Sequence, residues 1–190
     1  YDPTATHARL TQITAAVTGV AAASHSFNYA YLANSDLIEK LSVDSGSTYA
    51  ITRAFEAQRD VLTSINAMWG SSAEASRARY DYVTDALGQR TSVKQNGSAF
   101  ADYYDPGATN KGTFQTFAYD ARGQLTANPA YLEDAAIETK KLPRRQHEFA
   151  YDNIGNRTSS NRSGTPADAD SYTANDLNQY TARDHKQIPL

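Results

Sequence analysis

Three aspartates, Asp85, Asp120 and Asp152, each stand three residues before a glycine and follow a short aromatic run. Two carboxylates facing a glycosidic bond could do glycoside hydrolysis, one as acid and one as base or nucleophile. A carboxylate that recurs at one position of a repeated pattern has a different logic. It serves every copy equally, and its place ahead of a glycine suits the capping of a turn. The histidines at 7, 25, 147 and 185 form no His-x-His or His-x-x-x-His pair, so no zinc-ligand spacing is present. Asp168-Ala169-Asp170 lacks the glycine and distal glutamate of an EF-hand loop. Gly88, Gly123 and Gly155 never make the Gly-x-Gly-x-x-Gly cluster that cradles phosphate. With no cysteine, disulfides and thiolate metal sites are excluded. The expectation is a chain with no catalytic residue, no metal and no cofactor.

The aspartates belong to a motif: aromatic-x-Tyr-Asp-x-x-Gly-polar-(Arg/Leu)-Thr. The clearest copies are Phe149-Ala150-Tyr151-Asp152-Asn153-Ile154-Gly155-Asn156-Arg157-Thr158 and Phe117-Ala118-Tyr119-Asp120-Ala121-Arg122-Gly123-Gln124-Leu125-Thr126. Another, from Tyr82 through Asp85 and Gly88 to Thr91, lacks only the second aromatic. The last, from Tyr172 to Thr181, carries Asn175 for the aspartate and Asn178 for the glycine. Eroded copies start at Tyr1-Asp2-Pro3, Tyr29-Ala30-Tyr31 and Phe55-Glu56. Anchored on Tyr1, Tyr31, Phe55, Thr84, Tyr119, Tyr151 and Ala174, the copies recur within the roughly 20–50-residue period of repeat architectures.

The elements that must position such a motif follow from its spacing. Phe149 and Tyr151, two apart, share one face of a strand. Asp152 is placed to accept hydrogen bonds from amides two or three residues on, and Gly155 supplies a positive φ, a position Asn178 can also fill. Arg157-Thr158 and Leu125-Thr126 then restart extended structure. Each copy is expected to be a β-hairpin, and the fold all-β: a repetitive hairpin array forming a curved or spiral strip with little helix. Asn96-Gly97 is a further hairpin signal. Residues 131–141, before Pro143, are open to a helical alternative. The array is expected to fill residues 1–190 as one domain, with degenerate copies over 1–66 and clearer ones over 80–182.

Composition narrows the partners. A net charge of −3 argues against nucleic acid, and no apolar run approaches the ~20 residues of a membrane span. No basic-then-apolar leader opens the chain, and Tyr1 reads as the start of a piece cut from a longer polypeptide. The 13 tyrosines suit half-buried strands, with rings on the sheet and hydroxyls at its margin.

Tyr151-Asp152-Asn153-Ile154-Gly155-Asn156-Arg157-Thr158, Leu177-Asn178-Gln179-Tyr180-Thr181 and the opening Tyr1-Asp2-Pro3 resemble YD repeats. That family includes bacterial Rhs proteins, the C components of toxin complexes and the teneurins. The resemblance implies a β-sheet wound into a shell, often around a C-terminal toxin, in an extracellular or cell-surface bacterial protein. The self-cleaving core of many Rhs proteins has no counterpart here. The expected role is a non-catalytic structural segment, part of a shell wall or a self-assembling filament. Its expected partners are flanking repeats or identical copies, met through sheet edges. The alternative is an adhesive module that binds polysaccharide through exposed tyrosines and Trp69.

Overall fold

A computed structural model describes residues 9–16, 24–44, 49–70, 76–103, 111–162 and 168–185. The copy at Tyr1, His7 and most of the loop expected at 161–166 lie outside the described residues. The chain is all-β. Its strands are β1 (Gln12–Ala16), β2 (Ser24–Tyr31), β3 (Ile38–Val43), β4 (Tyr49–Phe55), β5 (Leu62–Trp69), β6 (Ser76–Thr84), β7 (Arg90–Asn96), β8 (Thr113–Thr116), β9 (Ala118–Tyr119), β10 (Leu125–Leu132), β11 (Lys141–Tyr151), β12 (Arg157–Asn161), β13 (Ala169–Ala174) and β14 (Tyr180–His185).

Two compact units are present, one of residues 1–82 with 95–101 and one of residues 83–94 with 102–190. In the first, β1 to β6 pair antiparallel in chain order. In the second, β10 lies between β8 and β11 and also pairs β9, and β11 to β14 follow in order, again all antiparallel. This is the pattern of successive hairpins that the motif spacing predicts. Among the described residues β1 pairs only with β2, and β14 only with β13.

The expected alternation is visible in β11, where His147, Phe149 and Tyr151 are half-buried while Glu148 and Ala150 are exposed. Neighbouring rings lean on each other along one face, His147 on Phe149 at 6.3 Å and Tyr80 on Tyr82 at 6.4 Å. Apolar burial is thin. Among the described residues the buried hydrophobic ones are Ala50, Val93, Ala130 and Tyr131, and no large side chain is fully covered. Ser42, Thr113, Asn128, Gln146, Ser160 and Asp170 are the buried polar ones among them. Cross-strand hydrogen bonds therefore carry much of the cohesion.

Two local readings differ from the structure. The helical alternative for 131–141 is not taken: β10 runs to Leu132, Glu133 turns the chain at φ 67°, and β11 begins at Lys141 after a single 3-10 turn at Glu138–Lys140. Pro143 instead sits in an irregularity of β11, where the register passes from Tyr131↔Lys141 to Pro129↔Gln146. Asn96-Gly97 does not make a tight hairpin either. Gly97, at φ 99° and ψ 174°, opens a 3-10 turn over Ser98–Phe100. Its glycine is required by close approach, since a Cβ there would lie 2.8 Å from the Arg77 carbonyl oxygen.

Candidate functional site

The motif residues build four turns of one design. In each, the Asp or Asn amide donates to the carbonyl four residues on, closing the hairpin: Asp85 to Gln89, Asp120 to Gln124, Asp152 to Asn156 and Asn175 to Gln179, all at 2.9 Å. The residue at the glycine position donates back to the carbonyl of the first. The side-chain oxygen accepts from two amides, two and four residues on. Asp120 Oδ1 takes Arg122 and Gln124 at 2.9 Å each, and Asn175 Oδ1 takes Leu177 at 3.0 Å and Gln179 at 2.9 Å. Asp85 and Asp152 do the same. The offset of two is as the sequence implies; the other is four, because the chain must finish the turn before its amide points inward.

The fourth position has positive φ in every turn: 80° at Gly88, 79° at Gly123, 97° at Gly155 and 60° at Asn178. Asn178 is tolerated because asparagine reaches the left-handed region more readily than other side chains. In the eroded copies of Tyr31 and Phe55 the loop is one residue longer. Leu32 donates to the Leu37 carbonyl and Glu56 to that of Val61, both at 2.9 Å. Without a short acceptor at the first position, Ser35 Oγ accepts from the Leu37 amide and Glu56 pairs with Arg59.

The motif threonine has a role its β-propensity does not announce. The register slips between Leu125 and Ala127, between Ala150 and Tyr151 opposite Arg157 and Ser159, and between Thr173 and Ala174 opposite Tyr180 and Ala182. Thr126, Thr158 and Thr181 are the extra residues. Thr181 Oγ1 donates to the Thr173 carbonyl at 3.3 Å, and Thr91 Oγ1 to that of Val83 at 3.2 Å. The copies of Asp120, Asp152 and Asn175 thus each end in a threonine-marked β-bulge, a device that bends a strand and raises its local twist.

Successive copies are also tied to each other. Tyr119 donates its hydroxyl to the Arg90 carbonyl at 2.8 Å, and Tyr31 donates to that of Leu10 at 2.9 Å, each reaching the preceding copy's (Arg/Leu) position. Gln89 lies over Gly123, Gln124 Nε2 lies by Gly155, and Asn156 Nδ2 meets Asn178 Oδ1 at 3.4 Å. Arg122 adds a bond to the Asp152 carbonyl at 3.1 Å. Arg157 lies over the rings of Phe149 and Tyr151, its guanidinium 4.7 and 6.0 Å from their centroids. The sequence shows these rung residues only as a recurring polar position after the glycine.

Carboxylates outside the turns are also committed. Asp170 lies between Arg183 at 2.7 Å and His185 at 2.5 Å, with Ser160 and Tyr172 hydroxyls at 3.5 Å. The guanidinium and then the imidazole hold its carboxyl below the ordinary value. Serine, aspartate and histidine meet here, yet the carboxylate stands between the other two, so the hydroxyl does not reach the imidazole as a nucleophile–base pair requires. His25 pairs with Asp44 at 2.8 Å, and His147 is occupied by its stack on Phe149. Among the described residues no three His, Asp or Glu groups gather as metal ligands, and no helix is long and apolar enough to cross a membrane. Trp69 is exposed and packs against Tyr49 at 5.9 Å. No protein-family model and no curated protein matches the chain.

Proposed function

We propose that this chain is a non-catalytic structural segment of a YD-repeat array, in a bacterial cell-surface or secreted Rhs-like protein. There it forms part of a shell wall or of a self-assembling extracellular filament. The observation that carries the reading is the copy-to-copy connection. Turn after turn, the residue following the glycine rests on the next turn, and the motif tyrosine reaches back to the copy before. Groups spent on rungs and turns are not free for chemistry on a substrate.

β14 supports the same view. All its residues are exposed, as are Leu177 and Tyr180, and Gln179, the rung residue of the last turn, folds back onto Asn175 at 3.2 Å. An unpaired edge of this kind is a template for strand addition. The partner is a flanking repeat or β1 of an identical copy.

Sedimentation velocity and electron microscopy of the 190-residue chain test the edge. The expected result is end-to-end association that grows with concentration. Of Ala182→Pro and Arg183→Pro, one removes an amide that faces outward from the edge, and that variant abolishes association without loss of fold. A chain that stays monomeric at high concentration, and whose native form has no flanking repeats, refutes assembly through edges.

A further inference from the structure

The last copy is the one in which alanine, Ala174, replaces the motif tyrosine. Where Tyr119 projects a ring and hydroxyl toward the preceding copy, Ala174 projects a methyl group. Tyr180, its partner across the hairpin, compensates in part, and its hydroxyl accepts the Arg157 amide at 2.7 Å. The same copy holds a recess of about 370 Å³, lined by Tyr151, Gly155, Arg157, Tyr172 and Tyr180. That volume is at the lower end of small-ligand sites.

The lining has a definite chemistry. The Arg157 guanidinium lies over the Phe149 and Tyr151 rings. It has no hydrogen bond or ion pair among the described residues, and its Nε is buried without an acceptor. The nearby carboxylates of Asp152 and Asp170 are spent, the first on the Ile154 and Asn156 amides and the second on Arg183 and His185. A half-buried cation in this state favours a planar anion that it can grip with two parallel N–H donors. Beside it Tyr172 and Tyr180 stand 5.6 Å apart at 56°, and Tyr180 is 54% exposed. The exposed face of Tyr180 suits the C–H face of a sugar ring, while Tyr172 is half-buried under the Arg183 guanidinium, 5.8 Å from its centroid.

We propose that this recess binds a carboxylate-bearing sugar residue, a uronic acid unit of an acidic polysaccharide, with the carboxylate on Arg157 and the ring against Tyr180. The site goes beyond the structural reading and does not depend on self-association. Isothermal titration calorimetry with a galacturonic acid trimer, and with its neutral galactose counterpart, tests it. The acid binds and the neutral trimer does not, and Arg157→Gln lowers affinity about tenfold or more, as loss of a charge-assisted pair requires. Tyr180→Leu removes the ring the sugar rests on and lowers affinity about tenfold or more, and the thermal midpoint of the same variant reads folding separately. Three results overturn the proposal: no heat at millimolar acid, equal affinity for the neutral trimer, or undiminished binding by the folded Tyr180→Leu variant.

Discussion

At the scale of single residues, the motif assigns separate tasks to side chain and backbone. Asp120 accepts two amides with no other partner available to them in the turn, so Asp120→Ala is expected to cost about 1–2 kcal/mol. Asp120→Asn is expected to cost far less, because Asn175 makes both bonds in its own copy. Urea denaturation of the two variants gives the comparison directly. The glycines separate two effects that sequence conflates. Nothing lies within 4 Å of a Cβ built on Gly88, so Gly88→Ala isolates the strain of positive φ, about 1 kcal/mol. Gly97→Ala adds a collision with the backbone of Arg77, which has no flexible end to swing aside. It should lower the midpoint clearly more than Gly88→Ala does, and equal losses would show that the approach to Arg77 is unimportant.

At the scale of elements, β14 is held by one neighbour among the described residues, and the Asp170 carboxylate ties two of its side chains to β13. Asp170 is lowered from its ordinary value of 3.8, first by Arg183 and then by His185. A carboxyl lowered on folding stabilises the native state above its unfolded value. That contribution fades as pH falls through the folded value. The hairpin of β13 and β14 is therefore expected to loosen in acid, below about pH 4, before neutral-pH unfolding conditions are approached. Amide exchange followed by NMR between pH 7 and pH 2 would show protection in Tyr172–Ala174 lost over that window. In Asp170→Asn the same protection should already be weak at pH 7 and nearly independent of pH. Retention of wild-type protection in that variant would remove the carboxylate from any role in holding the strand.

For the whole molecule, the informative quantity is how little apolar surface disappears. Only Ala50, Val93, Ala130 and Tyr131 count as buried hydrophobics among the described residues, and the motif rings remain half-covered. Heat capacity on unfolding rises with apolar area exposed. Calorimetry of the monomeric edge variant should therefore give a value below the about 12–15 cal/mol/K per residue of ordinary domains. A normal value would mean that the rings are covered more fully than the individual side chains indicate. The same thin burial gives an array a reason to associate through the exposed strand β14.

The local pattern was legible because its causes are local. Two-residue aromatic spacing, an acidic residue at the first turn position and glycine at the fourth act within ten residues, and they specify strand, cap and positive φ before any neighbour arrives. The hairpins of Asp85, Asp120, Asp152 and Asn175 follow from that alone. Asn96-Gly97 differs for the complementary reason: its glycine answers to a 3-10 turn at φ 99° and to Arg77, a residue on another strand, and not to a tight hairpin. Tertiary structure alone decided that the motif threonine is a bulge, that Gln89, Gln124 and Asn156 are rungs, and that Asp170 gathers Arg183 and His185. It also decided that Tyr151, Arg157, Tyr172 and Tyr180 line one recess. Each of these depends on which residues stand opposite one another across strands, and that register is set by hairpin length and pairing together, quantities no single position in the chain encodes.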